Sequence, residues 1–466
     1  MSEAAPDPAA LADLLAGDVA HHLHPFTDPR DLQRRAPRMI VRGAGVRIWD
    51  AQGHEILDAM SGLWCVSLGY ARRDLADAAH EQLLRLAYYN TFFHTTTPQA
   101  AELARELTAL APGDMRHVFF TEGGSTANDT MVRMVRRYWE LQGQPRRQVL
   151  IARRNGYHGS TVAAASLGGM ADMHAQGGLP LPDFEHIEQP HQLALGLPGE
   201  TGQEFALRAA GWLEQRIADI GAERVAAFVM EPVQGAGGVI VPPPGYAREI
   251  QRICRRHDVL LVSDEVICGF GRLGHWFGCQ HPHIDIQPDL ITFAKGVTSG
   301  YLPLGGVLVG RRVGDALASS GGEFEHGFTY SGHPACCAVA LAALRALRGE
   351  SVLEHVRERA QRRLHAGFAG LAEHPLAGDA AGLGMTAALM LWRDKARREP
   401  FPAEAQVGLR CREACFDAGV VMRAVGSRMI VAPPLVSTES ELDEMCRRIG
   451  LALDRTRDGL RADGWL

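Results

Sequence analysis

Through the middle of the chain short apolar runs alternate with segments of helical period. The stretches "HVFFTEGG", "QVLIARRNGYHG", "VAAFVMEPVQ", "VLLVSDEVICG", "DLITFAK" and "GGVLVG" each hold an apolar centre of strand length next to glycine or polar residues. Between them, "STANDTMVRMVRRYWELQ" sets Met131, Val135 and Tyr138 on one face at helical spacing, beside Val132 and Trp139, with Ser125 as the expected N-cap. "PGYAREIQRICRRHD" reads as another helix. Strands alternating with helices predict an α/β domain on a mostly parallel sheet. In such sheets ligands bind at the strands' carboxyl ends, where the glycine and polar residues of this chain collect.

Beyond about residue 336 long Ala/Leu/Arg helical segments take over, with "GLGMTAALML" and "RMIVAPPLV" as strands between them, the pattern of a smaller α+β domain. The first 70 residues carry a polar helix and short strands such as "VRIWDAQGHEILDA", whose Asp-Ala-Gln-Gly-His run predicts a hairpin. The expected organisation is an N-terminal segment 1–70, a large domain 71–335 and a C-terminal small domain 336–466.

Composition narrows the ligands. With 466 residues, 46% hydrophobic content and a formal net charge of −6, the chain can bury a large core, and it has no basic block interleaved with aromatics to mark it for nucleic acid. No apolar run approaches membrane-spanning length, and the N-terminus "MSEAAPDPAALADLLAGDVA" lacks the basic start and apolar centre of a leader. Nine scattered cysteines without a C-x-x-C pair suit free thiols in a reducing compartment, so the expected location is the cytoplasm. Small molecules, rather than nucleic acid or membrane, are the expected partners.

Only two of the 48 basic residues are lysine, Lys295 and Lys395. Arginine keeps its charge, whereas a desolvated lysine amine can lose its proton and attack a carbonyl. Lys395, in "WRDKARREP", reads as part of a solvated charged face. Lys295 follows an apolar run and precedes glycines in "ITFAKGVTSGYLPLGG", which suits an active-site amine or a surface lysine at a strand end. Asp264 in "LLVSDEV" imitates the acid of a nucleotide hydrolase, but the G-x-x-x-x-G-K-[ST] loop that chemistry needs is missing. With a pyridine ring as ligand, a strand-end carboxylate can instead keep the ring nitrogen protonated and make the ring an electron sink; the plainer alternative is an acid capping the next turn.

"GFGRLG" at 269–274 matches G-x-G-x-x-G, yet the prolines of the following "HWFGCQHPHIDIQP" deny it the helix a dinucleotide site requires. "EGGSTAND" at 122–129 offers glycines, a hydroxyl and a helix start, suited to a phosphate or to a simple turn. Tyr157 in "NGYHGST" could stack on a flat cofactor or sit in the core. No acid or cysteine cluster accompanies "HHLH", and H-E-x-x-H is missing, so no metal is expected.

Together with "HHLHPFTD", "GLWCVSLGY", "YYNTFFHTT", "GYHGSTVAAASLGGM", "EPVQGAGGVIVPP", "SDEVICGFGRLG", "AKGVTSGYLPLGG", "HGFTYSGHPACCAVAL" and "VMRAVG", these pieces resemble the class-III, fold-type I pyridoxal-phosphate aminotransferases over nearly the whole chain, and closely the omega (amine:pyruvate) transaminases. The resemblance implies pyridoxal 5'-phosphate as cofactor, bound by the large domain, with residues 1–70 joining the small domain and covering the active site. It implies Lys295 as the imine-forming lysine, Asp264 as partner of the pyridine nitrogen, Val266 against one face of the ring and Tyr157 against the other. Gly124 and Ser125 match the phosphate turn, and Thr329 matches a threonine that reaches the phosphate in the neighbouring subunit. Trp64, Phe92 and Ala236 match pocket positions, Phe26 a residue covering the partner's active site, and Arg423 a mobile arginine that grips a substrate carboxylate. A homodimer or tetramer with active sites at the subunit interface is implied.

The implied reaction moves an amino group from a primary amine or omega-amino acid to pyruvate, giving an aldehyde or ketone and L-alanine. A pyridoxal-phosphate isomerase or decarboxylase on the same fold is the alternative, and the donor is open among β-alanine, putrescine, taurine and aromatic amines. The chain also departs from the family. Gly123-Gly124-Ser125-Thr126 stands where Ser-Gly-Ser-Glu is usual, with Glu122 just before it, which predicts weaker cofactor retention. Asp172 and Ser427 replace, respectively, a frequent aromatic or basic residue and a frequent aspartate.

Overall fold

The computed structural model describes residues 8–320 and 322–466; residues 1–7, which open the N-terminal segment and the stretch read as lacking a leader, lie outside the described residues. After a helix Pro8–His21, strands β1 (Ile40–Ala44), β2 (Arg47–Asp50) and β3 (Glu55–Leu57) form an antiparallel sheet. The expected hairpin lies between β2 and β3. Its turn is closed by Asp50, whose Oδ1 accepts the N–H groups of Gln52 and His54 at 3.0 and 2.9 Å.

The apolar runs of the middle region build the central sheet: β4 (Met115–Thr121), β5 (Val149–Arg153), β6 (Phe184–Ile187), β7 (Val225–Met230), β8 (Leu260–Asp264), β9 (Leu290–Phe293) and β10 (Gly305–Gly310). The strand order is β4-β10-β9-β8-β7-β5-β6. Only β10 runs against its neighbours, so the carboxyl ends of β4, β5, β7, β8 and β9 share one edge. A β-strand reversed between two strands leaves those two parallel to each other, which keeps β4 in line with the rest.

The helix Gly124–Leu141 follows β4 and buries Met131, Val135, Tyr138 and Trp139 against Leu150, Val229, Val262 and Val307 of the sheet. Trp139 Nε1 donates to Ala226 O at 2.9 Å, so the indole is satisfied where it is buried. Ser125 is not the N-cap. Gly123 holds that position, and its N–H is taken by the Thr126 hydroxyl at 3.2 Å, which frees the Ser125 side chain to face outward from the helix start.

A third sheet joins β11 (Ala377–Gly382), β12 (Ala387–Asp394), the short β13 (Glu399–Pro400), β14 (Arg423–Val425) and β15 (Arg428–Val431), all antiparallel. The isolated bridge between Leu57 and Val420, with the Leu57 N–H on Gly419 O at 2.8 Å, ties the N-terminal sheet to this C-terminal one. No described helix is long and apolar enough to cross a membrane.

Candidate active site

At the shared carboxyl edge the loops after β4, β5, β7, β8 and β9 enclose a cavity lined by Gly124, Ser125, Tyr157, His158, Gly159, Glu231, Asp264, Val266, Ile267 and Lys295. Six of the residues picked out in the sequence meet there: Gly124, Ser125, Tyr157, Asp264, Val266 and Lys295. Each is delivered by the turn at its own strand end, which is why residues from 124 to 295 converge.

Lys295 sits at φ 48°, in the left-handed region that a non-glycine residue adopts at a cost of order 1–3 kcal/mol, a strain that gathers at functional sites. Its amine makes no hydrogen bond or ion pair among the described residues. Burial pulls its pKa below the usual lysine value; Asp264 foremost, then Cys65 and Glu231, act in the other direction, and Arg423 adds to the lowering. A buried lysine with a depressed pKa carries more free amine at neutral pH.

Asp264 is held rigidly. Its Oδ2 accepts from His158 Nδ1–H at 2.7 Å and from Asn128 Nδ2–H at 2.9 Å, while Oδ1 accepts, among the described residues, only the Val266 N–H at 3.0 Å. Oδ1 therefore keeps acceptor capacity toward the cavity. Asn128 is itself fixed by donating to His158 O at 2.6 Å. His158, Asn128 and Glu231 escaped the sequence reading. His158 stands next to Tyr157 in "GYHG" and Asn128 lies one turn after Gly124, so adjacency was the one available signal.

Glu231 is 2% exposed; its Oε1 accepts Tyr157 N–H at 3.2 Å and its Oε2 accepts Gly235 N–H at 2.9 Å. Burial raises its pKa, with the Asp264 carboxylate adding to this and His158 opposing it.

The helix start is shaped for an anion. Ser125 Oγ accepts Ser160 N–H at 3.0 Å, which leaves its own proton free to donate. Tight backbone approach keeps the space open: a Cβ on Gly124 would fall 2.9 Å from Val266 Cγ1, and one on Gly159, at φ +135°, 2.6 Å from Ser125 Oγ. Glu122 does not line the cavity; its buried Oε2 has no hydrogen-bond partner.

The remaining predicted residues lie elsewhere. Trp64, at φ 65°, is 2% exposed and packs in one apolar cluster with Ile267 of the cavity lining. Ala236 is buried on the loop after β7 and does not reach the wall. Arg423 opens β14, has no carboxylate partner among the described residues, and lies close enough to Lys295 and Tyr157 for their charges to interact. Thr329 and Phe92 form a separate, more exposed group: Tyr88 Oη donates to Thr329 O at 2.7 Å, and Phe92 shares a cleft with His326, Gly327 and Ser331. Phe26 departs from expectation. The chain folds back at φ 51° and brings its ring 6.5 Å from Tyr157 of the same chain, whereas the resemblance places it over the partner's site. The metal reading also needs correction in one detail: an acid does accompany the histidines, since Asp18 accepts from His22 at 2.9 Å and His24 at 2.6 Å.

An unpaired amine, a braced carboxylate with acceptor capacity left, a free serine hydroxyl at a helix N-terminus and a tyrosine in the same lining fit pyridoxal phosphate group by group. On a mostly parallel sheet with these loops at its carboxyl edge, they define a fold-type I pyridoxal-phosphate enzyme. The family model for class-III aminotransferases matches residues 31–453. A putrescine–pyruvate aminotransferase of Pseudomonas aeruginosa is 51% identical over 94% of both chains, and a vanillin aminotransferase of Capsicum annuum 41% identical over 90% of this chain and 92% of its own. Among solved structures, the (S)-enantioselective omega-transaminase of Thermomicrobium roseum superposes with a TM-score of 0.92 at 43% identity, covering 96% of this chain and 98% of that one. The omega transaminase of Pseudomonas jessenii in complex with PMP gives 0.93 at 40%, covering 97% and 100%. The chain belongs to the class-III aminotransferases and is a pyridoxal-phosphate-dependent aminotransferase. Every relative named here is an aminotransferase, which leaves the isomerase or decarboxylase alternative without support.

Proposed function

We propose that this aminotransferase takes the amino group of a primary amine or omega-amino acid and gives it to pyruvate, forming an aldehyde or ketone and L-alanine. The observation that carries the reading is Arg423, a guanidinium with no carboxylate partner among the described residues and near enough to Lys295 for their charges to interact: its planar fork matches the carboxylate of pyruvate. The name of the Pseudomonas aeruginosa relative, with putrescine and pyruvate in it, supports the same pair of substrate classes.

Bound pyridoxal phosphate supplies an aldehyde carbon to which amino groups bond and a ring that takes up the electron pair left by a broken C–H bond. Lys295 Nζ, whose pKa burial lowers, would take a proton from the substrate carbon and deliver it to the carbon that was the cofactor's aldehyde, acting as base and then acid. Asp264 Oδ1 holds a proton at the ring nitrogen, and His158 and Asn128 keep that carboxylate from turning away. The Ser125 hydroxyl and the free N–H groups at the helix start bind the phosphate, and Tyr157 and Val266 bracket the ring. Because amine and pyruvate use one site in turn, initial-rate lines at several fixed pyruvate concentrations are expected to be parallel, with alanine formed mole for mole with amine consumed. Intersecting lines, or carbonyl product without alanine, would refute the reading.

The working form is a homodimer in the cytoplasm, with Thr329 and Phe92 serving the neighbouring subunit's site. This is supported by the exposure of Thr329 and the half-buried Phe92 lying apart from the chain's own cavity, and by Phe93 and Tyr330 beside them, 89% and 56% exposed. Nine free cysteines fit a reducing compartment.

A further inference from the structure

His326 lies in the segment joining the helices Arg311–Ser319 and Pro334–Gly349 and plays no part in the mechanism above. Phe119 of β4 stacks on its ring at 5.5 Å and 15°, and Phe324 and Phe328 meet it edge-on at 5.5 and 5.0 Å. Its Nε2 is 2.8 Å from Thr130 Oγ1, and its Nδ1 is 2.9 Å from Nη1 of Arg133. These partners fix the tautomer. Thr130 gives its one proton to Thr126 O at 2.8 Å, so its oxygen accepts from Nε2–H. A guanidinium only donates, so Nδ1 is the acceptor. Arg133 donates a second time, to Glu325 O at 2.9 Å. One hydrogen-bonded path thus runs from the Gly123 N–H, through Thr126 and Thr130 of the Gly124–Leu141 helix, to the loop that carries Thr329.

We propose that His326 is a positioning residue: its neutral imidazole latches the 323–331 loop to the helix that starts at the phosphate turn, and a proton arriving at Nδ1 opens the latch. The inference rests on the reading that Gly124, Ser125 and Thr329 serve the cofactor phosphate. A protonated Nδ1 would point an N–H at the N–H of Arg133, exchanging a hydrogen bond for two like charges. Among the described residues nothing nearby compensates. Ala100, Ala101 and Ala104, which share the adjoining cleft, and the three phenylalanines are uncharged, and Glu325 engages Arg133 only through its backbone carbonyl. Burial first, and Arg133 second, lower the pKa from its usual 6.5. The sign follows: the neutral latch is closed at neutral pH and opens as pH falls through a value below 6.5.

The test uses the holoenzyme at about pH 7.5 and about pH 5.5, a range in which histidine is the side chain expected to titrate. Hydrogen–deuterium exchange of peptides covering residues 322–333, corrected for intrinsic rates, reads the loop, and the fluorescence of released pyridoxal phosphate reads the cofactor. Loss of one hydrogen bond predicts that wild-type exchange and release both rise about fivefold at the lower pH. His326→Gln is expected to be fast at both pH values with little step between them. Arg133→Met distinguishes a latch from simple packing, because removing the like charge moves the midpoint of the step toward the ordinary histidine value, whereas a packing role has no midpoint to move. Should His326→Gln fail to fold, Arg133→Met and Thr130→Val carry the comparison. Wild-type exchange that does not change with pH overturns the latch. A loop that switches without any change in cofactor release overturns the positioning role. Alanine formation at neutral pH, measured alongside, reports separately on the functional reading.

Discussion

Lys295 is one of two lysines in a chain otherwise basic through arginine, and burial rather than a neighbouring cation is the main cause of its lowered pKa. Replacing it with alanine removes the proton carrier, and transamination is expected to fall by at least about 10²–10⁴-fold, a loss that borohydride trapping and alanine assays would both report. The pH dependence has a definite sign. A lowered pKa means that the free amine persists to lower pH, so capture of pyridoxal phosphate by the apoenzyme should quicken as pH rises with a midpoint below the ordinary lysine value of about 10.4. A stopped-flow absorbance profile with its midpoint at or above that value would remove burial as the cause. Lys295 and Asp264 were legible because each ends an apolar run and so declares itself on a strand end. His158 and Asn128 were not, since their bonds to Asp264 cross 106 and 136 residues of sequence and no local pattern encodes such a partnership.

At the scale of elements, the proposed phosphate site at the start of the Gly124–Leu141 helix can be tested by how firmly it holds the cofactor. Gly123 is extended, and a Cβ there would meet nothing within 4 Å, so Gly123→Ser fits without strain and adds a hydroxyl beside the turn. Retention after dialysis should improve, by about 1 kcal/mol or somewhat more for a charged acceptor. Gly124→Ala should do the opposite, because its Cβ would drive Val266 from its place on the cavity wall, and the parent and both variants can be ranked by equilibrium dialysis. Equal retention in all three would mean that this turn does not bind the phosphate. The central strands were legible as apolar runs, but β6, "FEHI", is short and half polar, and β1 and β11 carry too few large apolar residues to stand out. The reversed direction of β10 was hidden for another reason: a buried strand reads alike in either orientation.

For the whole molecule, the question is why one folded chain leaves so much apolar surface in one region. Phe93 and Tyr330 are 89% and 56% exposed, and Thr329, which has no place in its own chain's cavity, lies beside Tyr330. The cost of leaving side chains of this size in water, roughly 1.5–3 kcal/mol each, would be recovered if a second copy covered them. Phe93→Asp puts a charge into that patch without touching the core. If the patch is the subunit contact, sedimentation should shift from twice 50.6 kDa toward 50.6 kDa, and cofactor retention and transamination should fall together while the thermal midpoint of the single chain changes little. The coupling of the two losses is the decisive feature, because a surface unrelated to assembly would lose neither, and a contact remote from the active site would lose mass without losing cofactor. This is also the scale at which local pattern has least to work with: residues 88–96 and 326–331 look like ordinary loops by periodicity, the roles of Phe92 and Thr329 came from the resemblance alone, and the folded chain shows these loops gathered outside its own cavity.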